Sequence, residues 1–553
     1  MAKDHVRVTF LGGLGEIGRN CLAIEQDGRL VIVDAGLMFP EPTMYGVDII
    51  LPDFRWLIER RDKVDAIVLT HGHEDHTGSL RYLVKDINVP IYGSALTLGF
   101  ARHRLTEAKM AKDLTFIEVA DGERRKIGPF EVEFIPVTHS VPSAHALAFH
   151  TKVGIILHSG DFKLDLTPID GRRTDVARLA ALGDEGVALL LADSTNAEEP
   201  GFTASERSVG VTLRRLFLER PEKRIFVACF ASHVHRVQQI IDVAKAQGRK
   251  VALMGRSMES NVKLARKLNI LHAEAADFVD LANIGRHPPG GICVICTGSQ
   301  GEPLAALSKL SRGDSRDLTL GHDDTVILSS HPIPGNEWTV GRVIDDLHRA
   351  GAEVIHSGQE PVHASGHARQ GELRTFHQLV RPRTFVPVHG EYRHMVHHAD
   401  LALTMGIKSK NVLICEDGDQ VEVTVDGIRR AGEVPAGFHY IDGSAGDFDE
   451  RPLEERRMLA EFGVLLVSAA VDAKSGSIAQ PVRVIARGWF DGAAERKILA
   501  DLTNEVRGVI DDALRGGDRD EASLTRLAQR AAGRHLGQKL RRQPVVLASI
   551  AVL

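Results

Sequence analysis

Short apolar runs recur along the chain and end in glycine, histidine or aspartate. In the first 160 residues these runs predict buried strands that stop in small or metal-binding residues. They lie at 6–10, 30–33, 66–69, 130–135 and 154–157. From about 186 to 365 the apolar runs alternate with segments of helical pattern, which predicts a parallel sheet covered by helices.

The last third of the chain adds three signals. An apolar run at 384–388 ends in His389, and the stretch 428–450, rich in glycine, alanine and aspartate, predicts a linker. Beyond the linker, strand patterns near 463–467, 482–485 and 545–553, together with two helices, predict a small α+β domain.

Composition narrows the class of protein. A chain of 553 residues that is 43% hydrophobic and 26% charged is typical of a globular protein with several domains. Its net charge of -6 argues against indiscriminate polyanion binding but allows a local basic groove. Five cysteines are too few for a disulfide framework, and Cys293 and Cys296 fit a buried strand better than half of a zinc clip. Without a membrane-length apolar run or a signal-peptide core, we expect a cytoplasmic protein.

Candidate metal ligands are most concentrated directly after the apolar run 66–69. Four of them fall within six residues: His71, His73, Asp75 and His76. Three distant candidates each follow a strand signal, and these are His139, Asp161 and His389. In an extended segment the first two histidines project to the same side and can reach one ion. The aspartate and histidine after the turn would face a second ion, and Asp161 is the natural bridge between the two. Taken singly, each distant residue fits an ordinary structural role equally well.

In order and in strand-end context these residues resemble the motifs of the metallo-β-lactamase superfamily. The resemblance implies two ligand sets, the first being His71, His73, His139 and Asp161. The second set is Asp75, His76, Asp161 and His389. It also implies that Asp34 orients the ligand loop without touching the metal, and it gives Glu74 no role. Imidazole and carboxylate ligands accept zinc and manganese alike, so we expect two divalent ions, zinc and/or manganese, per subunit.

A second layer of motifs points to a branch of that superfamily. Asp193, His331 and His367 resemble the signature positions of the β-CASP nucleases, and the whole pattern, with the glycine-rich segment 12–20, is most similar to the bacterial ribonuclease J family. The resemblance implies an α/β fold: a metallo-β-lactamase αββα sandwich with an inserted β-CASP α/β domain and a small α+β C-terminal domain. The expected boundaries are 1–205 and 366–427 for the metallo-β-lactamase domain, 206–365 for the β-CASP domain, 428–450 for the linker and 451–553 for the C-terminal domain.

A pocket for a phosphate is a further expectation. Backbone N–H groups and a hydroxyl in Ser365–Gly366–His367 form the kind of segment that binds anions, and the segment 230–236 opens a helix at whose start an anion is favoured. The candidates for phosphate or RNA binding are Ser232, His235, His363, Ala364, Ser365, Gly366 and His367. Ser232 fits a plain helix N-cap equally well. The segment 298–303 either lines the same groove or forms a simple turn.

The resemblance implies a metal-dependent ribonuclease, a hydrolase that attacks RNA phosphodiesters with hydroxide generated by two metals. The expected catalytic residues are Asp193, His367, His331 and Asp75. His367 is the candidate proton donor to the leaving 3′-oxygen, Asp193 holds its ring, and His331 stabilises the phosphate. The expected activity is 5′-to-3′ exonucleolytic with preference for 5′-monophosphate ends, with additional endonuclease activity, in RNA processing and decay.

The expected partners are single-stranded RNA, a second copy of the chain in a homodimer or homotetramer, and other RNA-decay proteins, with no membrane. Basic residues are dispersed between a segment at 102–112 and another at 530–542, and each is a candidate RNA contact or only a solvated face.

Three alternatives stay open at this point. A β-CASP nuclease acting on DNA would share the metal chemistry and differ only in contacts to the 2′-hydroxyl. A small-molecule hydrolase of the same fold has no need of the insertion that carries Asp193, His331 and His367. A non-catalytic scaffold subunit of an RNA-processing complex would be expected to lose metal ligands, and this chain keeps them.

Overall fold

The computed structural model describes residues 4–302, 304–315, 318–333, 335–443, 446–448, 450–489, 492–540 and 544–553. Some residues of the motif, linker and basic segments lie outside this part, namely Pro303, Pro334, Ser444, Ala445, Asp449, Arg541 and Arg542. The chain divides into two compact units, Met1–Phe39 with Ile49–Phe438, and Pro40–Asp48 with His439–Leu553.

The strands of the first unit follow the apolar runs closely. They are β1 (Val6–Gly12), β2 (Leu14–Gly15), β3 (Cys21–Gln26), β4 (Arg29–Val33), β5 (Ile49–Pro52), β6 (Val64–Val68), β7 (Ile91–Gly93), β8 (Phe116–Glu118), β9 (Arg124–Ile127), β10 (Phe130–Pro136), β11 (His145–Thr151), β12 (Gly154–His158), β13 (Val187–Asp193), β14 (Arg224–Ala228), β15 (Lys250–Met254), β16 (Ile292–Cys296), β17 (Asp324–Leu328), β18 (Glu353–His356), β19 (Thr384–Val388), β20 (Gly390–Glu391), β21 (Asp419–Thr424) and β22 (Gly427–Glu433).

The helices of the first unit are α1 (Arg55–Ile58), α2 (Glu74–Thr77), α3 (Leu80–Leu83), α4 (Ala95–Glu107), α5 (Val176–Glu185), α6 (Glu206–Leu218), α7 (Val234–Ala246), α8 (Arg256–Lys267), α9 (Ala306–Ser311), α10 (Glu337–Arg349), α11 (Gln370–Val380) and α12 (Tyr392–Thr404). Among the described residues, no helix combines the length and the apolar character that a membrane span requires.

Two sheets face each other in the first unit. In the described part of the chain their strand orders are β22-β21-β1-β3-β4-β6-β7-β8 and β19-β13-β12-β11-β10-β9. Phe10 and Val68 of one sheet share a buried apolar core with Phe134 and Leu147 of the other. Helices α1, α3 and α4 pack on the outer face of the first sheet, and α5, α11 and α12 pack on that of the second. The result is a four-layer αββα sandwich.

The segment between β13 and β19 leaves this sandwich and returns to it, since those two strands are parallel neighbours. It forms a parallel sheet of order β15-β16-β14-β17-β18 in which apolar helices cover both faces. Because the strands are parallel, their carboxyl ends meet at one edge, as expected for the site of an α/β domain. Cys293 and Cys296 lie in β16 and are buried, free thiols, as the apolar run predicts.

The second unit contains β23 (Phe438–Asp442), β24 (Gly446–Phe448), α13 (Glu450–Phe462), β25 (Val464–Asp472), β26 (Ser477–Arg487), α14 (Ala493–Arg515), α15 (Glu521–Leu540) and β27 (Val545–Val552). Strand β25 pairs antiparallel with β26 and parallel with β27, and apolar side chains of α14 and α15 cover one face of this sheet. The described residues of the predicted linker 428–450 form parts of β22, β23 and β24. Gly437 and Gly443 lie between these short strands, and the domain boundaries themselves stay predictions.

Candidate metal centre

Asp34 ties the first ligand loop to the sheet. It directly follows β4, which runs parallel to β6, so the two strands deliver Asp34 and the loop after Val68 to the same edge. The Asp34 carboxylate accepts hydrogen bonds from the Thr70 backbone N–H at 2.8 Å and from the Thr70 hydroxyl at 2.7 Å. Asp34 is buried and adopts the left-handed conformation with φ 60°. The carboxylate therefore fixes where the histidine loop begins.

The same carboxylate orients His76. Nδ1 of His76 lies 2.7 Å from Oδ2 of Asp34, so the ring donates its Nδ1 proton there and turns Nε2 toward the cluster. Asn20 holds the loop from the other side, because its backbone N–H and its side-chain amide both donate to the carbonyl of Asp75. A side chain on Gly36 would collide with that carbonyl, so only glycine fits there.

The first predicted ligand set converges. One ligand atom from each of His71, His73, His139 and Asp161 lies within 4.8 Å of the others. Nε2 of His139 lies 3.2 Å from Nδ1 of His73, and Nδ1 of His139 donates to the carbonyl of Gly366 at 2.9 Å. That hydrogen bond leaves Nε2 of His139 without its proton and available to a cation.

The second predicted set converges on the same aspartate. Ligand atoms of Asp75, His76, Asp161 and His389 lie within 4.8 Å of one another. His389 follows β19 and adopts φ 53°, and its two ring nitrogens face Asp161 at 2.8 Å and Asp75 at 3.4 Å. The two sets therefore share Asp161.

The donor set fits divalent cations. Both carboxylate oxygens of Asp161 are buried and make no hydrogen bond of acceptable geometry among the described residues, although imidazole nitrogens approach to 2.8–3.8 Å. Nε2 of His389 is likewise buried without a hydrogen bond. Orphaned buried polar atoms of this kind are costly unless a cation satisfies them. Nitrogen and oxygen donors suit zinc or manganese, whereas magnesium and calcium prefer oxygen alone.

The charge of the histidines in the cluster depends on their burial and on the nearby carboxylates of Asp34, Asp75 and Asp161. Burial lowers the pKa of His73 to about 4 and that of His71 well below its usual range. Burial also acts to lower the pKa of His76, but the carboxylates of Asp161 and neighbouring aspartates outweigh it and raise that pKa to about 10. The negative charge at the centre is therefore matched either by protons or by metal, and metal binding should release protons.

A third group adjoins the two ligand sets, and it was not predicted from the sequence. Ligand atoms of Asp161, Asp193, His367 and His389 also lie within 4.8 Å of one another. Nδ1 of His367 lies 2.8 Å from Oδ2 of the buried Asp193. Burial acts to lower the pKa of His367, but the charge of Asp193 and its hydrogen bond outweigh it, so the pKa is raised. The predicted acid pair thus lies against the metal ligands.

The segment before His367 packs against this group. The hydroxyl of Ser365 accepts a hydrogen bond from Asn196 and from the backbone N–H of His367. A Cβ on Gly366 would lie 2.7 Å from the ring of His139, so glycine is required for this approach. His363 is half-buried, and Ala364 is buried. Five of the predicted phosphate-binding residues are therefore consecutive, and the last two, Gly366 and His367, adjoin the metal-ligand residues.

His331 lies farther out. It is exposed, its Nδ1 is 3.3 Å from the hydroxyl of Ser357, and its ring stacks with that of His363 at a centroid separation of 6.4 Å. Unlike the acid pair, it belongs to none of the three metal-ligand groups found among the described residues. Its position suits a contact with bound phosphate or nucleotide rather than with a metal.

The other two predicted phosphate ligands are less accessible. His235 is buried, and its Nε2 lies 3.1 Å from the carboxylate of Asp170, beside a cavity of about 20 Å³ that holds no more than one water. Ser232 is half-buried and is not the N-cap of α7, because His233 accepts from the backbone N–H of Arg236 in that role. The N-cap interpretation of Ser232 is therefore wrong, and the ring of His235 is engaged by Asp170.

Several supporting residues carry no sequence signal of their own. Ser194 joins the end of β13 to that of β19, because its backbone N–H donates to the carbonyl of His389. Its hydroxyl also lies 3.0 Å from the buried His398 of α12. Glu74, which was given no role, pairs with Arg104 at 2.5 Å, so that basic residue is tied to the ligand loop. Only the glycine-rich segment 12–20 could have pointed to Asn20.

Comparison with protein families covers most of the chain. Residues 14–226 match the metallo-beta-lactamase superfamily, and residues 222–347 match the ribonuclease J beta-CASP domain. Residues 355–414 match the Zn-dependent metallo-hydrolase RNA specificity domain, and residues 452–552 match the ribonuclease J C-terminal domain.

Individual relatives extend over the full length. The chain is 42% identical to ribonuclease J of Mycolicibacterium smegmatis over 552 residues, covering 100% of this chain and 98% of the relative. It is 36% identical to ribonuclease J2 of Bacillus subtilis, covering 98% of each chain. A crystal structure of a protein of unknown function from Enterococcus faecalis shares the fold, with a TM-score of 0.53, 18% identity and coverage of 76% of this chain and 100% of that one. These similarities confirm the fold class and the family that the motifs predict.

Proposed function

The chain belongs to the ribonuclease J family of metal-dependent ribonucleases, and from this premise we propose that it hydrolyses RNA with two divalent ions. We further propose 5′-to-3′ exonuclease activity that prefers 5′-monophosphate ends, with additional endonuclease activity, in RNA processing and decay. The observation that carries the proposal is the sharing of Asp161 between two ligand sets, with the Asp193–His367 pair directly beside them.

The proposed ligands are His71, His73, His139 and Asp161 for one ion, and Asp75, His76, Asp161 and His389 for the other. When bound, zinc or manganese would lower the pKa of water and offset charge on the phosphoryl oxygens. Asp34 keeps His76 in the tautomer whose Nε2 faces the cluster, and Gly366 does the same for His139.

His367 is the proposed proton donor to the departing 3′-oxygen of the ribose. Its Nδ1 is held by Asp193, which leaves Nε2 as the donating nitrogen. Because its pKa is raised, the ring is more readily protonated near neutral pH than an isolated imidazole. Proton delivery to this oxygen leaves a 5′-phosphate on the downstream RNA, which is the end that the enzyme prefers in the next round.

The proposed binding site for that 5′-phosphate is the segment from His363 to His367. Gly366 contacts the ring of His139, so this segment lies beside the metal ligands, and its backbone N–H groups that are not bonded within the protein would favour an anion there. We include His331 as a contact to phosphate, since its exposed ring lies against His363. Ser232 and His235 do not form part of the proposed pocket.

We also propose that the chain forms a homodimer or homotetramer through the second unit. Leu466 of β25 pairs in register with Ile485 of β26 and Leu547 of β27, so the three side chains lie on one face of the sheet. They are 40–53% exposed, whereas Leu465 and Val467 of the opposite face are buried under α14 and α15. Sedimentation of the wild type and of Leu466→Arg tests this: the variant should shift to a smaller species, and an unchanged species would rule out this face.

The test of the activity uses single-stranded RNA labelled on its 5′-monophosphate and the metal-loaded full-length chain, with a DNA of matched sequence beside it. Release of the label as a mononucleotide from the earliest time points is the expected result. Release only within longer fragments would contradict the exonuclease mode, and cleavage of the DNA alone would contradict the choice of RNA. Asp193→Asn serves as the control for contaminating nucleases, since its product should appear about 10²- to 10⁴-fold more slowly.

A further inference from the structure

Trp338 is a large aromatic side chain that the fold leaves in water. The chain has three tryptophans, and Trp56 is 6% exposed, whereas Trp338 is 66% exposed. Trp338 lies in the first turn of α10, whose buried residues Val340, Val343 and Leu347 pack on the sheet. The indole is on the outward side of the helix and contributes little to that core, so packing does not explain a tryptophan here.

Its location connects it to the carboxyl edge of the β-CASP sheet. The segment 329–336 leads from the end of β17 to α10, and it contains His331. The side chain of Gln300, in the loop after β16, donates to the carbonyl of His331 at 2.9 Å and accepts from the N–H of Ile333 at 2.7 Å. A Cβ on Gly301 would lie 2.7 Å from Thr339, so the loop also touches the first turn of the helix. The position of Trp338 is therefore fixed relative to His331.

That edge continues to the metal ligands through a short chain of contacts. The ring of His331 stacks on that of His363, and three residues later the carbonyl of Gly366 accepts from His139. A strand of RNA that ends at the metal cluster and touches His331 would therefore lie at the edge of the β-CASP sheet where α10, with Trp338 in its first turn, begins. This step rests on the proposed function, since it takes the scissile phosphate to bind at the cluster.

Arg342 places a positive charge against the indole of Trp338. Its guanidinium carbon lies 4.9 Å from the centroid of the Trp338 ring, one helical turn further on, and both side chains are exposed. Arg342 covers one face of the indole, which leaves the opposite face for a base, and the guanidinium can pair with the flanking phosphate. Single-stranded nucleic acid is bound in this way without regard to sequence, whereas a buried-core role would need neither exposure nor the cation.

We propose that Trp338 and Arg342 form a stacking platform for one unpaired base of the RNA substrate. The platform acts in binding and not in the chemical step, so its loss should raise KM and leave kcat unchanged. Stacking on one aromatic ring is worth about 1–3 kcal/mol per base, so Trp338→Ala should raise KM about 5- to 150-fold. Trp338→Phe keeps an aromatic face and should stay within about threefold of wild type.

The test measures kcat and KM for wild type, Trp338→Ala and Trp338→Phe on a short single-stranded RNA with a 5′-monophosphate. Leu218→Ala is the matched control, because Leu218 is 63% exposed on α6 and its removal should change neither constant. A series of RNAs with one abasic ribose at successive positions locates the stacked base. At that position the wild type should lose its advantage over Trp338→Ala.

Indole fluorescence gives an independent readout, since RNA should quench the wild type and quench Trp338→Phe much less. An unchanged KM in Trp338→Ala, or equal quenching in Trp338→Phe, would overturn the platform while wild-type cleavage of RNA stands. A fall in kcat at constant KM would overturn it equally. Failure of the wild type itself to cleave RNA would instead count against the proposed function.

Discussion

Replacing Asp34 by asparagine should weaken one of the two proposed metal ions selectively. The asparagine keeps the size of the side chain and tolerates the left-handed backbone at φ 60°. Its carbonyl can still accept from the backbone N–H of Thr70. Its amide N–H₂, however, would donate toward Nδ1 of His76, where the carboxylate now accepts at 2.7 Å. His76 would then carry its proton on Nε2, the nitrogen that faces Asp161 at 3.3 Å, and could not bind a cation there.

The expected size of the effect follows from the lost hydrogen bond. A hydrogen bond to a charged group is worth about 1.5–3 kcal/mol, and removal of such an orienting partner typically costs about 10- to 100-fold in metal affinity. The ion held with His76 and His389 should weaken by that factor. The ion held with His71, His73 and His139 should weaken less. The Asp34 carboxylate contacts none of these rings directly and reaches only His71, through the Thr70 hydroxyl 3.0 Å from its Nδ1.

The assay titrates the metal-loaded full-length chain with a competing chelator and counts bound metal by mass spectrometry. Asp324→Asn is the matched control, since Asp324 is buried to the same 2% exposure but pairs with Arg224 in the β-CASP sheet. Loss of one ion at lower chelator concentration in Asp34→Asn is the expected result. Equal retention of both ions in Asp34→Asn and wild type would refute the assignment of Asp34, and equal weakening of both ions would refute its selectivity.

Three further predictions concern groups inside and outside the cluster. Asp161→Ala should bind neither ion at concentrations that saturate wild type, because both ligand sets share this residue, and metal analysis after dialysis checks it. Burial and the Glu16 carboxylate raise the pKa of Asp417 to about 7, so the folded chain holds an extra proton between about pH 4 and 7 and stability falls as pH rises through that window. Asp417→Asn should remove this fall, and thermal midpoints across that pH range that stay parallel to wild type would contradict it. Arg236→Met should cost about 3–5 kcal/mol in denaturant unfolding, because it leaves the buried Glu206 carboxylate unpaired, and adding Glu206→Gln should recover most of the loss.

The sequence could indicate the candidate metal ligands because the segments that carry them follow strands β6, β10, β12 and β19. In an α/β sandwich the strand ends meet at one edge, so His71, His139 and His389 converge once the strand order is set. The relation of Asp193 and His367 to the same aspartate could not be predicted. It depends on the tertiary fold of the β-CASP insertion, which determines where the chain re-enters the sandwich and places Gly366 against His139.

The N-cap interpretation of Ser232 was wrong because the local sequence allows more than one capping residue. A serine before a helix resembles an N-cap, but the turn after Phe230 places His233 at the cap instead. His235 lies in the first turn of α7, and the fold brings Asp170, 65 residues earlier, against its ring. Neither contact has a periodic or spacing signal. The sequence did not indicate a role for Trp338, because one tryptophan in a helical pattern does not reveal whether its side chain is buried or exposed.

The most direct test of the account is to titrate the metal-free full-length chain with Zn²⁺ or Mn²⁺ and to follow bound metal and RNA cleavage in the same samples. Cleavage should stay near background until a second ion binds per chain. Asp193→Asn should bind both ions and still cleave about 10²- to 10⁴-fold more slowly. Full cleavage with one ion per chain, or undiminished cleavage by the metal-free chain, would contradict the two-metal assignment around Asp161.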